Sequence, residues 1–126
     1  VGIALGTALK EALGDKIGIR RYGSARIPMD EALGVCDLDV SGRAFLVFDA
    51  EFGSDMIGAM DTQLFEEFFR GFAFNAGITL HIACPYGNND HHKAEAMFKA
   101  LARALREAVS TDERFAGSVI STKGVL

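Results

Sequence analysis

The chain has 126 residues, which suits one domain, and 49% of them are apolar, with ten phenylalanines among them, so a core can form without staples. The net charge of -4 excludes a general nucleic-acid surface, so any bound anion must be caught by a local cluster. No apolar run has the length of a membrane span and no signal peptide is visible.

In chain order, apolar residues at 1, 5, 8, 9, 12 and 13 predict an amphipathic helix that Gly14 ends. Residues 18–28 read as irregular or extended. Residues 31–40 alternate loosely, with Leu33, Val35, Leu38 and Val40 apolar. Ser41-Gly42 has the composition of a two-residue turn, and residues 43–52 are rich in Phe, Leu and Val; the pair is expected to form a β-hairpin. Residues 53–60 read as loop. Asp61 or Thr62 caps a predicted helix to Ala76, with Leu64, Phe65, Phe68, Phe69, Phe72 and Ala73 on one face and Gly77 after it. Residues 78–84 form a predicted strand. Ile78, Leu80, Ile82 and Cys84 share one face and His81 the other. Cys36 and Cys84 lie far apart in apolar, strand-like runs, as expected of buried thiols in a reducing compartment. Asn89 or Asp90 caps a last helix to about Val109, with Met97, Phe98, Leu101, Ala104, Leu105 and Ala108 as its apolar stripe. Residues 111–126 read as a polar tail.

The stretch that carries chemistry opens this last helix: Asn89-Asp90-His91-His92-Lys93-Ala94-Glu95. On a helix His91 and Glu95 are four apart and His92 and Glu95 three apart, so each pair shares a face. His91 and His92 are rotated by about 100° from one another, so adjacent histidines aim at two different ions. The positive end of the helix dipole disfavours imidazolium, and neutral imidazole is the metal-binding form. An isolated His-His pair reads as a solvated turn; Glu95 at helical spacing and His81 on a nearby non-core face shift the reading to a two-metal site. Imidazole and carboxylate donors suit manganese, iron or zinc, so ligand type does not choose the metal.

The first predicted helix also matches the last at a shift of 96 positions. Ala4, Leu5, Ala8, Leu9, Glu11 and Ala12 meet Ala100, Leu101, Ala104, Leu105, Glu107 and Ala108. If this is an internal repeat, the counterparts of His91, His92 and Glu95 lie just before Val1, and the chain, which opens on Val inside a helix, is expected to lack a first copy of the motif.

Several stretches then resemble one family, imidazoleglycerol-phosphate dehydratase. They are Gly18-Ile19-Arg20-Arg21-Tyr22-Gly23, Pro28-Met29-Asp30-Glu31-Ala32, Asp39-Val40-Ser41-Gly42-Arg43, Leu80-His81-Ile82, the run from Asn89 to Lys99, and Ser121-Thr122-Lys123-Gly124, in the family's order from end to end. The resemblance implies an α+β fold of duplicated half-domains. Each half has a four-stranded sheet backed by helices, like the second domain of ribosomal protein S5, and here the first half is truncated. Residues 1–126 then form one dehydratase domain, with 1–30 the end of the first repeat and 31–126 the second repeat and tail.

It further implies loss of water from imidazoleglycerol phosphate to give imidazoleacetol phosphate in histidine biosynthesis, with two manganese ions per site shared between subunits of a homo-oligomer, up to 24-subunit shells. The protein is expected in the cytoplasm, or in a plastid if from a plant, with a phosphorylated imidazole as its partner and neither nucleic acid nor membrane. His81, His91, His92 and Glu95 are the expected metal ligands. Arg21, Arg43, Ser121 and Lys123 are the expected phosphate clamp, Arg because its planar fork matches phosphate. Glu95 is a candidate proton carrier, although a ligand is a poor base, and a better one is expected upstream. Asp30 and Glu31 are expected to serve as turn and strand-start residues. A metal-dependent hydrolase and an inactive, metal-bridged assembly fragment are the competing readings. With one motif copy, the chain alone is expected to be inactive.

Overall fold

The computed structural model describes residues 1–115 and residue 117. Three α-helices, α1 (Gly2–Leu13), α2 (Gln63–Ala76) and α3 (Asp90–Val109), accompany strands β1 (Tyr22–Met29), β2 (Ala32–Asp39), β3 (Phe45–Asp49), β4 (Met56–Ile57), β5 (Met60–Asp61) and β6 (Thr79–Tyr86). The main sheet has the order β1-β2-β6-β3, with β1, β2 and β6 antiparallel in turn and β3 parallel to β6.

This order overturns the expected hairpin of residues 31–40 with 43–52. β6 lies between β2 and β3, and its alternating Leu80 and Ile82 are almost wholly buried beneath the helices. Ser41-Gly42 docks instead on the junction of α2 and β6. Gly42 N–H donates to Gly77 O, and the Ser41 hydroxyl meets Thr79 Oγ1 at 2.9 Å. The true hairpin is β1–β2, closed by Asp30 and Glu31, so most of the stretch read as irregular or extended is an edge strand. Pro28 is tolerated there because an edge strand has a side without ladder bonds. The expected loop over 53–60 holds the small β4–β5 ribbon.

α2 and α3 cover one face of the sheet. α2 contributes Phe65, Phe69, Phe72, Ala73 and Ala76 to the core, and Gly77 ends it in the left-handed conformation, φ 72°. Phe69 and Phe98 pack with ring centres 5.0 Å apart and planes tilted by 32°, which locks α2 to α3. Leu64, expected in this face, is half exposed. Cys36 is buried in the core, where desolvation pushes its thiol up to about 12; Cys84 is partly buried, and both are free thiols.

α1 keeps Leu9 and Leu13 of its predicted face against the core but departs from it elsewhere. Its contact with α2 runs through Gly2, Gly6, Leu9 and Leu13, whereas Val1 and Leu5 are 92% and 49% exposed. A Cβ on Gly2 or Gly6 would fall 2.5 or 2.6 Å from the carbonyl oxygens of Phe68 and Phe72, so the two backbones pack more closely than side chains permit. Small residues therefore hold the closest approach near the start of α1, while Leu9 and Leu13 pack farther along it. The repeat positions differ in the same sense: Ala100, Leu101, Ala104 and Ala108 are buried in α3, and Ala4, Leu5, Ala8 and Ala12 are exposed in α1.

Past α3, Asp112 pairs with the Arg114 guanidinium at 2.8 Å and accepts the Arg114 backbone N–H. The Arg114 side chain first, then that N–H, hold the Asp112 carboxyl at about 2. The lowered value stabilises the folded chain above the ordinary aspartate range and ceases to do so as pH falls through about 2. Asp112→Asn is therefore expected to lower stability at neutral pH and to flatten the acid limb of the unfolding curve. Superimposable curves for variant and parent would refute this.

Candidate metal and phosphate site

The start of α3 is built by its own cap. Asn89 stands in extended conformation and its side-chain oxygen accepts the His92 backbone N–H at 3.0 Å. Asp90 has another task. Its carboxylate accepts N–H bonds from Gly53 and Ser54 and the Ser54 hydroxyl, tying the loop after β3 to the helix.

From this start the two imidazoles diverge, with ring centres 6.5 Å apart and planes at 69°. His91 is exposed, and its Nε2 lies 3.2 Å from Glu95 Oε2. Glu95 also takes the Lys99 ammonium at 2.9 Å; that hydrogen bond first, and the Lys99 charge, hold its carboxyl below the ordinary range. His92 turns the other way, and its Nδ1 meets Glu31 Oε1 at 2.6 Å. Its Nε2 lies 3.7 Å from Asp30 Oδ2.

Glu31 thus exceeds the strand-start role expected of it. Its second oxygen accepts the backbone N–H groups of Asn88 and Asn89 at 2.8 and 2.9 Å. The Asn89 N–H first, then His92 and the Asn88 N–H, hold its carboxyl at about 2. His92 is in turn pushed up, by the Glu31 hydrogen bond first, which reverses the direction expected from the helix end. A full carboxylate at 2.6 Å outweighs a helix end of about half a charge. Asp30 is the turn residue expected, with φ 50°. No spacing rule links residues 31 and 92. The one signal in the sequence was Asp30-Glu31 inside a stretch shared with the family.

His81 lies on the sheet face turned away from the core, opposite Asp37 of β2 and Val47 of β3. There it borders a hollow of about 210 Å3 with Tyr22, Ser24, Asp37 and Asp39. The structure therefore brings His91 to Glu95 and His92 to Glu31, and leaves His81 on another face. Among the described residues no group of three or more His, Cys, Asp or Glu side chains converges to hold a metal ion.

The two arginines do meet, through Asp39. Arg21, nearly buried, gives Nε to Asp39 Oδ1 at 2.6 Å and Nη2 to Oδ2 at 3.2 Å. Arg43, largely exposed, reaches the same carboxylate at 3.9 Å. Asp39 thus fixes Arg21 and leaves most of the Arg43 fork facing solvent. Ser121 and Lys123 lie outside the described residues.

These features can be set beside known proteins. The family model described as imidazoleglycerol-phosphate dehydratase matches residues 1–105. The chain belongs to the imidazoleglycerol-phosphate dehydratase family. An imidazoleglycerol-phosphate dehydratase of Lactococcus lactis subsp. cremoris is 60% identical over all of this chain and 63% of its own length. One from Streptococcus mutans is 58% identical over all of this chain and 64% of its own length. The chain thus spans slightly under two thirds of these relatives. A Staphylococcus aureus imidazoleglycerol-phosphate dehydratase structure superposes with a TM-score of 0.86 at 45% identity, covering 88% of this chain and 64% of that one. A Pyrococcus furiosus member gives 0.85 at 40% identity, over 99% and 67%. The α+β architecture described above is the one shared with these dehydratase-family structures.

Proposed function

We propose that this chain supplies one set of donors and the phosphate clamp for metal-dependent dehydration of imidazoleglycerol phosphate to imidazoleacetol phosphate, a lyase step of histidine biosynthesis. The observation that carries the reading is the diverging His91–His92 pair, each ring facing its own carboxylate at the start of α3. The donor chemistry fits divalent metal. His91 Nε2 and Glu95 Oε2 are 3.2 Å apart, close to the ~3 Å between neighbouring ligands when each bond is about 2.1 Å. His92 offers Nε2 once Nδ1 is engaged. His91 and Glu95 would serve one manganese ion and His92 a second, His81 would serve as a ligand from the outer sheet face, and other subunits of a homo-oligomer, up to a 24-subunit shell, would complete both sites. When bound, the metal supplies Lewis acidity toward the substrate's imidazole nitrogens.

The chain's own residues do the rest. Arg43, with Arg21 held beside it by Asp39, orients the phosphate, joined by Ser121 and Lys123. Glu95, already tied to Lys99 and His91, holds little basicity for a carbon proton, so its part is that of a ligand rather than the proton carrier. No helix among the described residues is long and apolar enough to cross a membrane; we assign the protein to the cytoplasm on the strength of the family alone.

Two measurements test this. Supplied with a segment that carries the second set of donors, covalently or as a separate chain, the protein should take up Mn2+ and release water from imidazoleglycerol phosphate; no uptake and no turnover by that assembly would overturn the reading. Arg43→Ala should weaken binding of a phosphate-bearing imidazole analogue about tenfold or more, since a charge-assisted contact contributes about 1.5–3 kcal/mol, and leave metal content unchanged. Unaltered affinity removes Arg43 from the clamp.

A further inference from the structure

We propose that Glu31 is a positioning residue. It holds the His92 imidazole in the Nδ1–H tautomer and so presents Nε2, with its lone pair, on the open side of the ring. The part of this inference that concerns metal rests on His92 being a ligand, as proposed above; the part that concerns tautomer does not.

The geometry leaves Glu31 little freedom. One oxygen is taken by two backbone N–H groups, from Asn88 and Asn89, and the other faces His92 Nδ1 at 2.6 Å. A carboxylate can only accept, so the neutral ring must carry its proton on Nδ1. Three elements converge to hold this contact. Asp30, in the left-handed conformation, closes the β1–β2 turn and directs Glu31 toward α3. Asn89 is both the cap of α3 and a donor to Glu31, so the carboxylate and the His92 backbone are joined through one residue. The Gly87 backbone passes close to Ala32, where a Cβ would fall 2.8 Å from the Ala32 Cβ, so the loop before α3 lies directly against the start of β2.

The presented side of the ring is furnished as well. Nε2 is 3.7 Å from the Asp30 carboxylate, which is exposed. Adjacent residues thus treat the two ring nitrogens differently: Glu31 fixes the one and Asp30 lies beside the other. A carboxylate on the far nitrogen of a ligating histidine fixes tautomer and ring direction and raises donor strength. Removing such a partner typically costs 10–100-fold in metal affinity.

The experiment uses the whole chain, metal-free, with 15N-labelled histidine, at alkaline pH where imidazole is neutral. Ring nitrogen shifts report the tautomer of each histidine, and His92→Gln assigns the signal. Native His92 should be Nδ1–H, and Glu31→Ala should move its population toward Nε2–H. Glu31→Gln, whose amide oxygen still accepts a hydrogen bond, should keep Nδ1–H in large part. Mn2+ titration followed by electron paramagnetic resonance should show about 10–100-fold weaker binding for Glu31→Ala and a smaller loss for Glu31→Gln.

A role confined to bracing the Asn88–Asn89 loop would lower thermal stability and leave the tautomer as it was, and that result overturns the proposal. So does a native His92 that is already Nε2–H. A tautomer change with full Mn2+ affinity in the variant overturns the link to metal. If native protein takes up no Mn2+ while the tautomer obeys Glu31, the positioning role stands and the metal reading is what fails.

Discussion

Replacing His91 and His92 together with alanine is expected to lower Mn2+ affinity about hundredfold or more. The change removes both nitrogen donors that the start of α3 presents, one from each proposed ion. Losing an outer partner of a ligand typically costs 10–100-fold, so losing two ligands should exceed that range. A hundredfold is about 2.7 kcal/mol. The fold should survive, because His91 is exposed, His92 is only partly buried, and the Asn89 cap bonds the His92 backbone rather than its ring. Elemental analysis after dialysis, with a far-ultraviolet circular dichroism spectrum as control, decides the matter. Full metal content in the double variant would remove the pair from the site.

A second large effect is expected at a position that carries no donor itself. Gly34→Ala should destabilise the fold by about 3 kcal/mol or more, at the upper end of what overpacking produces. α3 lies on β2 so closely that a Cβ at Gly34 would fall 2.2 Å from the Ala96 carbonyl oxygen and 2.6 Å from the Met97 nitrogen. Both are helix backbone and cannot rotate aside. β1 makes the same demand at Gly23, where the added carbon would stand 1.9 Å from the Ala104 oxygen. Relief requires α3 to lift from the hairpin, which would also draw His92 away from Glu31. Urea unfolding of Gly34→Ala measures the first effect; a loss below about 1 kcal/mol would show that the helix yields more readily than this packing implies.

The sequence disclosed the helices and the central strand because their signals are local. The phenylalanines of α2 recur at helical spacing and Gly77 follows them. In β6 apolar residues alternate with His81. Strand pairing was not legible in the same way. Residues 31–40 and 43–52 are neighbours joined by a turn-like Ser41-Gly42, and nothing local says that a strand more than 25 residues later comes between them. For α1 Leu9 and Leu13 pack as their spacing foretold, but Gly2 and Gly6, not Val1 and Leu5, make the close approach to α2. Steric absence leaves no trace in a hydrophobic pattern. The site divided along the same line. His91, His92 and Glu95 share one helix, so their geometry follows from their spacing. Glu31 and His92, or Arg21 and Asp39, meet only because the β1–β2 hairpin folds against α3 or pairs along its own length.

The late arrival of β6 between β2 and β3 has a consequence for how the chain folds. β1 and β2 are joined by a tight turn and can zip together from their shared end. β3 has no ladder partner until β6 reaches it, and that requires the whole of α2 to be laid across first. Closing that span costs chain entropy before any strand hydrogen bond repays it. During synthesis on the ribosome, β3 therefore emerges with both edges bare, and Phe45, Val47 and Asp49 remain unpaired until β6 is translated. The interval in which this chain is most prone to pair with a neighbour is set by its topology.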